Sequence, residues 1–320
     1  MCSIIKKGFF IFFTVLLTLT LTVTSIYVIT TNDWRLGRTD ANLHKEDSQH
    51  ALSYSIDQIN VNIKSPQGFV YDVSNDTIIL TKGEDKIIFP GSTTKLLTAL
   101  YALTILSPDE IIQPADELNL VKEGSSIAYI KSNHQISVEM LIEGMLLPSG
   151  NDAAYVLAAA GGRRIANDPS LAGETAVKAF VSGMNRYAHS IGLCGTNFTC
   201  PDGYDNEDHY TTTEDMVIIS RLALKNDLIA KYASVYKDDV IYASGHTNTW
   251  YNTNKLLDPN GQFYNRYVIG LKTGSLDEEY CLIFAFSFDD GREYIAGVFG
   301  AENKNDRYED ALEIINFLEN

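Results

Sequence analysis

Ile87-Ile-Phe-Pro-Gly-Ser-Thr-Thr-Lys-Leu-Leu-Thr-Ala-Leu-Tyr-Ala-Leu103 is the stretch on which the reading of this chain turns. Three β-forming residues end at Pro90-Gly91, a turn signal, and the run from Ser92 onward has high helix propensity. A helix opening at Ser92 puts the side chains of Ser92 and Lys95 on one face, three residues apart. A serine hydroxyl is a weak nucleophile until a neighbour takes its proton, and a desolvated lysine is able to do so. The helix N-terminus adds backbone N–H groups where an oxyanion would develop. The same Ser-x-x-Lys spacing recurs at Ser3/Lys6 and Ser234/Lys237, so the pair acquires weight only from its surroundings.

Outward from this junction, Phe69-Val-Tyr71 and Thr77-Ile-Ile-Leu-Thr81 flank Ser74-Asn-Asp76 and predict a hairpin. On the other side the pattern predicts helices over 137–147, 152–160, 174–191 and 213–225. Strands are expected over 239–243, 267–272, 280–288 and 293–299, with a turn at Asp289-Asp-Gly291, and a closing amphipathic helix over 305–318. Strands at both ends around a helical middle imply an α+β fold: one antiparallel sheet built from both termini and flanked by helices.

Lys6 and Lys7 precede a stretch, 8–32, with no charged residue, and about 20 helical residues cross a hydrocarbon core of roughly 30 Å. The reading is a signal-anchor over 1–32 with the lysines inside, a polar spacer over 33–55 and a domain over 56–320 outside the membrane. A cleaved signal peptide, with Thr22, Thr24 and Ser25 as a weak processing site, is the alternative. The net charge of −16 argues against nucleic acid or anionic lipid as the main partner of the domain. Cys194 and Cys200 bracket a short loop and are open to two readings, a small-loop disulfide or two free thiols. Cys281 reads as a buried strand residue. The spacings of the four cysteines and six histidines make no convincing zinc site.

Two further motifs accompany Ser92-Thr-Thr-Lys95. Ser149-Gly-Asn151 falls between two helices, and Lys272-Thr-Gly274 ends a strand. Alone, the first is an ordinary turn with Asp152 as a cap for the following helix, and the second a strand terminus with a solvated lysine. In this order and context the three form the set shared by penicillin-binding proteins and class A β-lactamases.

The wider sequence resembles the D-alanyl-D-alanine carboxypeptidases, the low-molecular-weight penicillin-binding proteins. Pro90-Gly-Ser-Thr-Thr-Lys95, Leu147-Pro-Ser-Gly-Asn-Asp-Ala-Ala154, Phe180-Val-Ser-Gly-Met-Asn185, Pro201-Asp-Gly203, His209-Tyr-Thr-Thr212, Asn252-Thr-Asn-Lys-Leu256 and Gly270-Leu-Lys-Thr-Gly274 carry the likeness. It implies a β-lactamase/transpeptidase-like fold and an acyl-enzyme on Ser92. It further implies Lys95 as general base and Ser149 as the proton relay to the leaving D-Ala. Asn151 would hold the peptide amide, and Lys272 and Thr273, with Gly274 beside them, the terminal carboxylate. The N–H groups of Ser92 and Ser275 would form the oxyanion hole. The implied partners are peptidoglycan stem peptides ending in D-Ala-D-Ala and, as inhibitors, β-lactams. His209 reads as a loop brace rather than a base, and Asp202 and Asp205 as turn residues. Two positions depart from the family pattern: Gly91 stands where Ala is usual, and Ser275-Leu-Asp-Glu-Glu-Tyr280 stands where an Ala-Gly pair commonly precedes the cysteine. A serine β-lactamase, a D,D-endopeptidase and an idle wall-peptide binding protein are the competing readings. The first would need a deacylating glutamate, and the acid in the right neighbourhood, Glu174, is followed by Lys178 rather than Asn.

Overall fold

The computed structural model describes residues 52–320 apart from 56, 57, 85 and 205. The expected anchor (1–32) and most of the spacer (33–55) lie outside the described residues. Ser53–Tyr54 (β1), at the end of the stretch read as spacer, pairs in parallel with the third strand.

The strands are β1, Gln67–Asp72 (β2), Thr77–Lys82 (β3), Ile111–Ile112 (β4), Ile136–Ser137 (β5), Lys237–Ile241 (β6), Thr247–Tyr251 (β7), Val268–Ser275 (β8), Tyr280–Ser287 (β9) and Glu293–Ala301 (β10). The helices are Lys95–Leu103 (α1), Val138–Leu146 (α2), Asn151–Ala166 (α3), Gly173–Ser190 (α4), Thr213–Lys225 (α5), Asp227–Ser234 (α6) and Asp306–Glu319 (α7). A six-stranded sheet runs β1-β3-β2-β10-β9-β8, antiparallel except at β1, so strands from the two ends of the domain meet at the β2–β10 pair. Among the described residues no helix is long and apolar enough to cross a membrane.

Period-two alternation divides the sheet's side chains between two cores. Cys281, Ile283 and Ala285 face the helical layer with Phe69, Ile295 and Phe299. Leu282, Phe284 and Phe286 face the opposite side, where Tyr308, Ala311, Ile314, Ile315 and Leu318 of α7 cover them. That helix is pinned at its start: the buried carboxylate of Asp310 accepts from the Lys64 and Ser65 amides (2.7 and 2.8 Å) and from the Ser65 hydroxyl (2.6 Å).

The structure corrects three expectations. The predicted strand over 239–243 belongs to a separate β6–β7 hairpin rather than to the main sheet. Its strand residues are mostly exposed or half-buried, with Val240 and Trp250 the buried ones of the two strands, so they have one narrow face to pack. Asn226 caps α6, a helix that the sequence pattern does not announce, by accepting from Ile229 N (3.1 Å). The first turn after Pro90 is a 3-10 turn, Gly91–Thr94, and the α-helix begins at Lys95. The reason is local: the Thr93 and Thr94 hydroxyls donate back to the Pro90 and Gly91 carbonyls at 2.7 and 2.8 Å, which tightens the turn.

Candidate active site

The nucleophile's turn is held from three sides. Gly91 has φ +53°, a left-handed conformation that a residue with a Cβ adopts at a cost. A Cβ at that position would also crowd the Ser275 amide at 3.2 Å, so this amide sits beside the turn that carries Ser92. From the second side, β8 approaches so closely that a Cβ on Gly274 would meet the Pro90 carbonyl at 2.5 Å. On the third side is His209. Its Nδ1 accepts from the Thr199 amide (3.1 Å), and its Nε2 therefore donates to Thr94 Oγ1 (2.8 Å). The ring stacks on Phe198 with centroids 4.7 Å apart. Burial, and secondarily the charge of Lys95, push its pKa down to about 3. A neutral imidazole with both nitrogens occupied is a brace, as the sequence suggests.

Lys95 starts α1 and is fully buried. Its Nζ lies 2.7 Å from Ser92 Oγ, 2.8 Å from Asn151 Oδ1 and 2.8 Å from the Asp202 carbonyl oxygen. These are three acceptors for three N–H bonds. Burial, partly opposed by Asp202, Cys200 and Asp152, pushes its pKa down to about 8. About a tenth of the lysine is then unprotonated at pH 7. The neutral amine keeps two donors on Asn151 and Asp202 and turns a lone pair toward the Ser92 hydroxyl.

Ser149 and Asn151 come from the α2–α3 connection. Ser149 is buried and has φ +61°, an uncommon conformation for a non-glycine residue. It is not among the hydrogen-bond partners of Lys95. Asn151 opens α3, and its amide donates to the Ser126 carbonyl at 2.8 Å. Asp152, expected as a helix cap, does more than that. Its carboxylate accepts from the Ala153 amide (2.9 Å) and also reaches out of the helix to the Ala128 and Ile130 amides (2.8 and 2.9 Å). It thus ties the 124–130 segment alongside the site.

Lys272 and Thr273 lie near the end of β8. Lys272 is 1% exposed, the opposite of a solvated strand terminus, and its Nζ donates to the Thr273 carbonyl (3.2 Å). Burial, with Lys95 and Arg307 nearby, holds its pKa well below the ordinary lysine value. The Thr273 hydroxyl bonds that of Thr253 at 2.6 Å. Asn252 and Asn254 are scaffold: Asn252 donates to the Ala233 and Val235 carbonyls, and its Oδ1 accepts from the Asn254 amide.

Arg307 was not foreseen. It is 2% exposed on α7 and donates to the Gly274 carbonyl (2.6 Å), Ser275 Oγ (3.1 Å) and the Cys281 carbonyl (3.2 Å). Among the described residues no carboxylate pairs with it, and its Nε has no partner. Its sequence signal was its phase: positions 307, 311, 314 and 318 form one apolar helical stripe, where a charge needs a reason. Lys272 and Arg307 together give this end of the site an excess of buried positive charge suited to an anion.

Ser92, Asn151 and Ser275 line a cavity of about 260 Å³ with 124–126, Asp202, Tyr204, Leu276 and Asp277. Ser149, Lys272, Thr273 and Gly274 are buried and outside that lining. A larger cavity of about 460 Å³ is bordered by Arg163 and Arg164 and holds none of the expected site residues. Its arginines are already paired with Asp116, Glu117 and Glu110. Glu174 is exposed and pairs with Lys178 at 2.6 Å. Cys194 and Cys200 are free thiols, so of their two readings the disulfide is excluded, and Cys281 is buried in β9 as expected. Among the described residues there is no cluster of His, Cys, Asp and Glu that could hold a metal.

Comparison with known proteins gives a consistent result. The family model described as D-alanyl-D-alanine carboxypeptidase matches residues 55–303. The D-alanyl-D-alanine carboxypeptidase of Streptomyces sp. (strain K15) is 32% identical over 263 residues, 78% of this chain and 85% of that protein. D-alanyl-D-alanine carboxypeptidase DacF of Bacillus subtilis is 28% identical over 255 residues, 77% of this chain but 60% of its own length. Among solved structures, the Streptomyces K15 DD-transpeptidase superposes with a TM-score of 0.72 at 30% identity, covering 81% of this chain and 98% of that one. Penicillin-binding protein D2 from Listeria monocytogenes, in its ampicillin-bound form, gives 0.64 at 26% identity over the same shares.

Proposed function

The chain belongs to the D-alanyl-D-alanine carboxypeptidase family of serine peptidases, and on that premise we propose that Ser92 and Lys95 carry the reaction on peptidoglycan stem peptides. The observation that carries the assignment is the buried Lys95 amine at hydrogen-bond distance from Ser92 Oγ, with its pKa lowered toward neutrality.

Neutral Lys95 takes the Ser92 proton as Oγ bonds to the carbonyl carbon of the penultimate D-Ala. The carbonyl oxygen gains negative charge between the amides of Ser92 and Ser275. The C–N bond then breaks, and the proton held by Lys95 passes through the Ser149 hydroxyl to the departing D-alanine amine. Asn151 orients the peptide amide. Lys272, Thr273 and Arg307 receive the terminal carboxylate. Water attacks the resulting ester and gives its proton to Lys95, which passes it to Ser92 Oγ as the ester C–O bond breaks, restoring the hydroxyl and the neutral amine.

A β-lactam presents a carboxylate and a strained amide to the same groups, and its leaving amine stays tethered to the acyl group. Glu174, the acid that a β-lactamase reading would need, is exposed and paired with Lys178, so it is not poised to activate water against that ester. This favours a persistent adduct over a β-lactamase. A D,D-endopeptidase would use the same residues on a cross-linked peptide. An idle binding protein has no use for a nucleophile–base pair. The domain is proposed to act outside the membrane, tethered by the apolar N-terminal segment or released by its cleavage.

The test is Ser92→Ala, with D-alanine release from a peptide ending in D-Ala-D-Ala as the readout. The account expects loss of release with unchanged thermal unfolding. Retained release would sink it.

A further inference from the structure

Asp202 has no role in the scheme above except through its main chain, whose carbonyl accepts from Lys95. Its side chain is nevertheless unusual. The residue is 1% exposed, Oδ1 accepts one long bond from the Tyr204 amide (3.3 Å), and Oδ2 has no partner among the described residues. No basic residue forms an ion pair with it among those residues. A buried carboxylate without a cation is costly, so a compensating charge is expected nearby. The buried cation in reach is Lys95.

We propose that Asp202 is a positioning residue that supplies the counter-charge for Lys95, so that its carboxylate sets how readily the catalytic lysine gives up its proton. The inference rests on Ser92 and Lys95 acting as described above.

The surroundings of Lys95 narrow the choice to Asp202. From α3 it faces Asp152, whose oxygens already accept from three amides. From the segment after α4 it faces Asp202 and Cys200. The Cys200 thiol is pushed up to about 12, chiefly by burial and then by Asp202, and stays uncharged. Lys272 of β8, which itself feels Arg307, also faces Lys95, and the His209 ring that faces it is neutral. Among the influences that favour the ammonium, Asp202 is the largest. Tyr155, one turn after Asn151 on α3, also feels the Asp202 charge and remains a neutral phenol.

The experiment follows the rate of benzylpenicillin acylation of the full-length chain against pH, by intact mass, for the parent, Asp202→Asn and Asp202→Glu. Removing the anion destabilises the ammonium, so the basic form of Lys95 is reached at lower pH. The acid limb of the Asp202→Asn profile is expected to move down by about one pH unit, with a high-pH plateau lower by up to about tenfold because the base is weaker. Asp202→Glu should restore the parental limb. A merely structural role would lower the rate at every pH and leave the limb in place, and that result overturns the proposal. So would a limb that moves up. If Asp202→Asn does not melt cooperatively, the smaller and equally uncharged Asp202→Ser takes its place with the same two outcomes. Absence of acylation in the parent would instead overturn the assignment of Ser92, which keeps the two failures distinct.

Discussion

Replacing Glu143 by glutamine should stabilise this protein, and increasingly so as the pH rises. Glu143 lies on α2 and is 2% exposed, with Oε1 unpartnered among the described residues. Burial, then a hydrogen bond and charge repulsion with Asp238 of β6, push its pKa up to about 8 from an ordinary 4.5. The folded state therefore holds a proton that the unfolded chain releases above pH 4.5. For a group raised in this way, the stabilisation is fully present below the unfolded value and is lost as the pH climbs through the folded one. At pH 7 the gap is roughly 2.5 pH units, and at about 1.4 kcal/mol per unit the upper bound on the cost of the ionisable side chain is about 3 kcal/mol. Glutamine cannot ionise and keeps an N–H donor for Asp238. Its gain at pH 7 should be on the order of 2 kcal/mol, or roughly 4–6 °C for a domain of this size. The assay is thermal unfolding of both proteins at half-unit steps from pH 4 to pH 8.5. The two curves should coincide near pH 4 and separate above pH 5. A constant difference across the range, or a glutamine variant less stable at pH 8, would refute the reasoning.

Two further substitutions probe the turn that carries Ser92. Gly203 has φ +80°, and a Cβ there would lie 1.8 Å from the Gly91 carbonyl oxygen, so Gly203→Ala should lower stability by on the order of 3 kcal/mol or more. A melting temperature within about one degree of the parent would contradict that close approach. His209→Gln addresses acid stability. A histidine whose pKa falls from 6.5 to about 3 on folding contributes stability that is complete above pH 6.5 and is lost as the pH falls toward 3. The variant should therefore shed up to about 1.4 kcal/mol per pH unit of the parent's acid sensitivity in that window, measured by denaturant unfolding at pH 7, 5.5 and 4. Parallel losses in the two proteins would show that His209 is not the group responsible.

Much of this molecule was legible because local pattern and tertiary role agree. The hairpin residues of β2 and β3, the strand pattern of β9 and the Ser-x-x-Lys spacing are each local signals, and the structure keeps all three. The meeting of Ser92, Lys95 and Asn151 at 2.7–2.8 Å was expected through resemblance; spacing alone does not give it. What escaped the sequence depends on contacts distant in the chain. The β6–β7 hairpin has strand-like residues, yet whether they join the main sheet is decided by which edge is free. Lys272, expected through the resemblance to meet a carboxylate, is on its local pattern alone a solvated strand end; its burial comes with the packing of β8 against the nucleophile's turn. Arg307 reaches the site from the last helix, far along the chain from Lys272. Asp202 looked like a turn residue, as its position demands, while its carboxylate is committed to the interior.

The measurement that bears most directly on the account is time-resolved intact mass of the full-length chain with benzylpenicillin, followed by peptide mapping. The account predicts a single persistent adduct on the peptide containing Ser92. An adduct on any other residue, rapid consumption of the drug without an accumulating adduct, or intact drug beside unmodified protein would contradict it.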